Sequence, residues 1–127
     1  MQLDAKQKVG VAIYAEYQKD RPDFTANVTP QALQLAPDIF DNAVKKLLNE
    51  HLLGGKYQPG AGLSPDNLPT TEGIAYVEKM YGIEALWSNM HKLECIEGFA
   101  SEYRQTEIVA FIHRVLIDQD ERYRDFF

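Results

Sequence analysis

A glycine pair, Gly54-Gly55, ends the most regular helical pattern in this chain, and what flanks it constrains the fold more than any other feature. At about 100° per residue, Phe40, Ala43, Val44, Leu47 and His51 collect on one side of a helix over residues 38–51, with Ile39 and Leu48 at its edges. The other side collects Asn42, Lys45, Lys46 and Asn49, with Asp38 and Asp41 near the N-terminal end. Such a helix is about 21 Å long, enough to lie across a DNA major groove. Two successive glycines cannot sustain it, so Leu52-Leu53 is expected to enter a strand. Residues 56–68 read as a hairpin whose tip is kept irregular by Pro59, Gly60, Gly62 and Pro65. Thr71 then caps a second helix, with Glu72 at the positive end of its dipole. Ile74, Val77 and Tyr81 form its buried stripe, and Gly82 suits a left-handed C-cap. Helix, two short strands and helix is the linear order of a winged helix.

Upstream, Val9, Ile13 and Tyr17 predict an amphipathic helix over residues 4–19, capped by Asp4 and ended by Asp20-Arg21-Pro22. Residues 24–28 read as a short extended segment. Thr29-Pro30 then opens a short helix, with Ala32, Leu33 and Leu35 inward, stopped at Ala36-Pro37. A short helix tightly joined to a longer one suggests helix-turn-helix. Downstream, Ile83, Leu86, Met90 and Leu93 mark a fifth helix broken at Glu97-Gly98. Thr106 and Glu107 open a sixth, whose apolar face carries Ile108, Phe111, Ile112, Val115 and Leu116. The expected fold is mainly α with a small antiparallel β-hairpin: a winged helix-turn-helix over residues 1–82. Two additional C-terminal helices (83–127) pack on it as one structural unit or serve self-association.

Length and charge bound what this fold can do. With 127 residues the chain supports one core. Residues 1–80 hold 10 of the 19 acidic and 8 of the 13 basic side chains, leaving 9 and 5 for the second half. The net charge of −6 opposes a tight non-specific grip on nucleic acid, which comes from Lys and Arg neutralising phosphates. A small basic face on an acidic body is still compatible with that charge. There is no apolar run of membrane-spanning length and no secretory layout at the start, so no membrane partner is expected. The single cysteine, Cys95, suits a reducing cytosol, and a cytoplasmic protein is the expectation.

Candidate sites follow from this layout. Asn42, Lys45, Lys46 and Asn49 are the expected DNA-reading face, since Asn pairs with adenine and Lys reaches guanine or phosphate. Lys56 is the only cation in residues 56–68 to hold the backbone from the wing. One copy offering these lysines with Lys6 or Lys8 binds duplex DNA weakly at physiological salt, so a homodimer with doubled contacts is implied. The sixth helix and the terminal Phe126-Phe127 supply apolar side chains that suit a partner chain; Phe111, Val115, Phe126 and Phe127 are the expected self-association residues. His51, His91 and His113 share no ligand spacing with one another or with Cys95, so no metal is expected. Glu94 and Glu97 beside Cys95 disfavour its thiolate. No nucleophile elbow or phosphate-cradling glycine pattern is present, so neither catalysis nor a cofactor is expected. Trp87, Tyr81 and Tyr103 read as core or interface aromatics.

Several of these stretches carry a resemblance: residues 40–48 (Phe-Asp-Asn-Ala-Val-Lys-Lys-Leu-Leu), the hairpin after Gly54, Leu68-Pro69-Thr70-Thr71-Glu72-Gly73, and the Trp87-bearing helix beyond. From about residue 3 to 96 the chain resembles the YjcQ-type winged-helix family of Gram-positive bacteria and phages. The resemblance implies a winged helix, with DNA binding inferred from fold. Residues 98–127 extend past it. The expected function is a DNA-binding protein, a small bacterial or phage transcriptional regulator; the alternative is a protein–protein interaction module without DNA binding.

Overall fold

The computed structural model describes residues 2–119. Asp4 opens helix α1 (Ala5–Tyr17) with a capping box: its carboxylate accepts the Gln7 amide at 2.8 Å, and the Gln7 side chain accepts the Asp4 amide at 2.9 Å. The expected one-sided stripe understates this helix. Val9 and every residue from Val11 to Glu16 are buried, while Tyr17 at its end is 39% exposed. A helix covered this completely needs neighbours on several sides. α1 has them in α2 (Phe24–Asn27), α3 (Pro37–Asn49), α4 (Thr71–Tyr81) and α6 (Thr106–Gln119), while α5 (Asn89–Glu102) packs on α4 and α6. Phe40, Val44 and Leu47 of α3, Val77 and Tyr81 of α4, and Leu93 and Ile96 of α5 join Ile108 and Ile112 of α6 in one apolar cluster around it.

The winged helix is not there. Among the described residues the only β pairing is an isolated antiparallel bridge, Leu53 to Pro69, and residues 56–68 contain no strand. The prolines lack donors for a ladder, and Gly60 and Gly62 hold φ of 80° and 79° at the tip. A side chain closes the loop instead. Asn67, fully buried, donates to the carbonyls of Gly54 (2.9 Å) and Lys56 (3.2 Å) and accepts from the Ser64 amide at 2.8 Å. Leu63 plugs the loop into the core, and its carbonyl accepts the Thr25 hydroxyl. Asn67→Ala is therefore expected to cost about 2 kcal/mol, by stranding several backbone groups. Denaturant midpoints would measure the loss, and limited proteolysis should cut first within residues 55–66. An unchanged midpoint with an uncut loop would deny Asn67 this role.

Other expectations change. The segment read as extended is α2, a single helical turn, because Asp23 caps it by accepting the Ala26 amide at 3.1 Å. The helix expected from Thr29 is a turn: Thr29 accepts the Ala32 amide, but Gln34 turns left-handed at φ 55° and ends it. No full first helix of a helix-turn-helix precedes α3. The fifth helix starts later, capped by Ser88, and runs through Gly98 to Glu102. Residues 83–88 are therefore outside it, and Leu86, expected on its apolar face, is 99% exposed. α3 and α4 keep their expected extents to within two residues, with Gly82 as the left-handed cap of α4 at φ 66°. The N-cap of α4 is Thr70 rather than Thr71, since the Thr70 hydroxyl accepts the Gly73 amide.

The last helices are integral to the core. Phe111 and Val115 are 3% and 2% exposed, buried within the chain itself, so neither side chain is offered to a second copy. Phe126 and Phe127 lie outside the described residues. A polar chain ties the end of α1 to α2 and α6. Buried Glu16 accepts the Asp23 amide (2.8 Å) and the Asn27 side chain (2.9 Å), and Lys19 bridges Glu16 (3.2 Å) to Asp118 (2.8 Å). Among the described residues, no helix is long and apolar enough to cross a membrane.

Candidate interaction surface

With its apolar side on α1, α3 leaves the opposite side in water. Asn42, Lys45, Lys46 and Asn49 are all exposed there, as is Asp38. The four side chains named from the sequence thus share one ridge, which the described residues leave uncovered. Lys56 is also exposed, on the loop that follows. Lys45, Lys46 and Lys56 make no ion pair among the described residues.

The two edges of the ridge differ. Along one, Tyr57 swings back from the loop and donates its hydroxyl to Asp41 at 2.5 Å, while the Gly60 amide donates to the same oxygen at 3.3 Å. Burial, then the hydrogen bond to Asp41, pushes the Tyr57 hydroxyl well above its usual pKa, so it stays a donor. The loop that was expected to be a wing is thereby laid along α3. Along the other edge, the start of α1 and α3 enclose a groove of about 390 Å³ lined by Asp4, Lys6, Ile39, Asn42, Ala43 and Lys46. Ile39, 43% exposed, is its apolar wall.

Lys6 is committed within the chain. Its ammonium sits 3.0 Å and 3.1 Å from the two Glu50 oxygens and 5.4 Å from the centre of the Tyr76 ring. The hydrogen bond it donates to Glu50 holds its pKa above the usual lysine value. Lys8, the other cation considered for phosphate contact, pairs with Glu107 at 2.7 Å. Around the ridge, Lys6, Lys45, Lys46 and Lys56 are interleaved with Asp4, Asp38, Asp41 and Glu50. Phosphate binding draws its strength from cations in excess of the anions beside them, and these residues supply four of each.

Sequence reasoning placed the ridge but missed the groove. Ile39 was legible as a residue at the edge of the apolar side. Its facing partners Asp4 and Lys6 lie more than thirty residues earlier, and no local pattern joins them. Elsewhere, Trp87 packs at a tilt against His91 with ring centres 4.3 Å apart, and His113 lies 3.0 Å from Glu97. The Cys95 thiol lies 3.7 Å from the Tyr81 carbonyl; burial pushes its pKa up, where the sequence had suggested carboxylates as the cause. In comparisons with protein-family models, curated proteins and solved structures, nothing matches the chain. The YjcQ-type resemblance therefore rests on the quoted residues alone.

Proposed function

We propose that this chain is a protein-recognition module that contacts its partner through the exposed ridge of α3. The observation that carries this reading is the composition of the surface: an exposed isoleucine and a polar ridge whose lysines are equalled in number by the carboxylates around them. An interface tolerates such interleaving, since charges of both signs at a rim set register and exclude wrong partners. Duplex DNA does not reward it, because each carboxylate near the phosphates offsets a lysine. The acidic balance of the chain points the same way. The DNA expectation drew its main support from a wing, and the loop that replaces it lies down on α3.

Two measurements decide between partners. A photoreactive amino acid at position 49 should give one discrete protein adduct in lysate of the source cell, and the same probe at position 86 should not give it. Retention of a random duplex DNA library, at low and physiological salt, should stay at background. DNA retention that falls steeply with salt and vanishes in the Lys45→Ala, Lys46→Ala double variant would overturn the reading in favour of nucleic acid. Light scattering across concentrations identifies the remaining case, in which the partner is a second copy.

A further inference from the structure

Resting on the protein-recognition reading, we infer that the groove between the start of α1 and α3 seats an amphipathic helical segment of the partner, bearing an apolar side chain and a carboxylate two turns apart. The groove sets that spacing. Ile39, Ala43 and Lys46 stand at i, i+4 and i+7 on α3, so its apolar and cationic ends are about 10.5 Å apart along the axis. A helix laid beside α3 repeats its side chains at the same intervals, which is the helix-in-groove mode of recognition.

The sign of the charge follows from which lining groups are already engaged. Lys6 is held by both oxygens of Glu50. Asp4 accepts the Gln7 amide and sits at the positive end of the α1 dipole, which partly balances it. Lys46 is an exposed residue and has no ion pair among the described residues. It is the charge in the groove left for a ligand to answer, and a single carboxylate answers it. A run of carboxylates or phosphates would meet Asp4 and Glu50 on either side. The Asn42 amide, between Ile39 and Lys46, offers a donor and an acceptor to the polar flank of the same segment.

The probe is a phage-displayed library of 16-residue helical peptides with an apolar stripe. Seven residues beyond a stripe position each carries Glu, Lys or Ser. Selected peptides are titrated onto the full chain by fluorescence anisotropy. Glu-bearing peptides should be enriched. Ile39→Asp and Lys46→Glu should each weaken them at least tenfold, with both variants keeping the circular dichroism of the parent. Changing the peptide Glu to Lys should restore affinity for the Lys46→Glu variant, and Leu86→Ser should leave binding unchanged. Enrichment of no peptide, or of Lys-bearing ones, overturns the inference. Peptides insensitive to both groove variants but lost with Lys45→Glu or Asn49→Asp overturn the groove while leaving the α3 ridge as a protein-binding surface. Salt-sensitive DNA retention without any selected peptide overturns both.

Discussion

Gly73→Ala, a single added methyl group, is expected to destabilise this protein by about 3 kcal/mol or more. A Cβ at position 73 would stand 2.0 Å from the Leu52 carbonyl oxygen and 2.9 Å from its carbon, distances that no side-chain rotation relieves. The obstacle is backbone, and that backbone is pinned. The Leu52 carbonyl accepts the Thr70 amide at 3.2 Å, and Thr70 in turn caps α4 by accepting the Gly73 amide at 2.9 Å. Relief therefore requires α4 to move off the end of α3, at the expense of the Val77 and Tyr81 contacts in the core. For a chain of this size the thermal midpoint should fall by roughly 10 °C. Gly98→Ala supplies the contrast. Gly98 lies inside α5 with nothing within 4 Å of the added methyl, so Ala should stabilise by up to about 1 kcal/mol from helix propensity. If both substitutions shift the midpoint alike, the close approach of α4 to Leu52 is wrong.

Phe111→Ala should cost about 3–5 kcal/mol, the range for emptying a large aromatic from a packed core. Phe111 is 3% exposed on α6, the helix that packs against both α1 and α5. The same substitution separates two roles for the last helix. An association face truncated at Phe111 would lower the dimerisation constant and leave the monomer as stable as before. A core position would lower the denaturant midpoint at every protein concentration. The second outcome is expected, and a gap between parent and variant midpoints that opens at high protein concentration and closes on dilution would rule it out.

These two sites show where local pattern stops being informative. In the sequence Gly73 is one glycine in the first turn of a helix, and nothing nearby announces that Leu52 lies against it. Phe111 and Val115 were legible as apolar positions of α6, and buried they are. What they are buried against was not legible in full, because one of the two helices that α6 packs on, α1, starts a hundred residues earlier. α1 misled in the same way. Its Val9, Ile13, Tyr17 stripe implied one covered side, whereas α2 and three elements from more distant sequence cover nearly all of it.

The sequence alone determined the helices whose period and caps are local: α3 with its polar ridge, α4 ending at Gly82, α6 opening at Thr106, and the Asp4 cap that begins α1. A helix closes its hydrogen bonds within four residues, so its signal is complete within its own span. The loop over residues 54–68 and the groove beside Ile39 were decided only by tertiary structure. A hairpin and an Asn-stapled loop share the same glycines and prolines, and the choice between them turned on Asn67 and Leu63 finding buried partners. The groove exists because α1 brings Asp4 and Lys6 to α3, and that docking is a property of the packed core rather than of either helix.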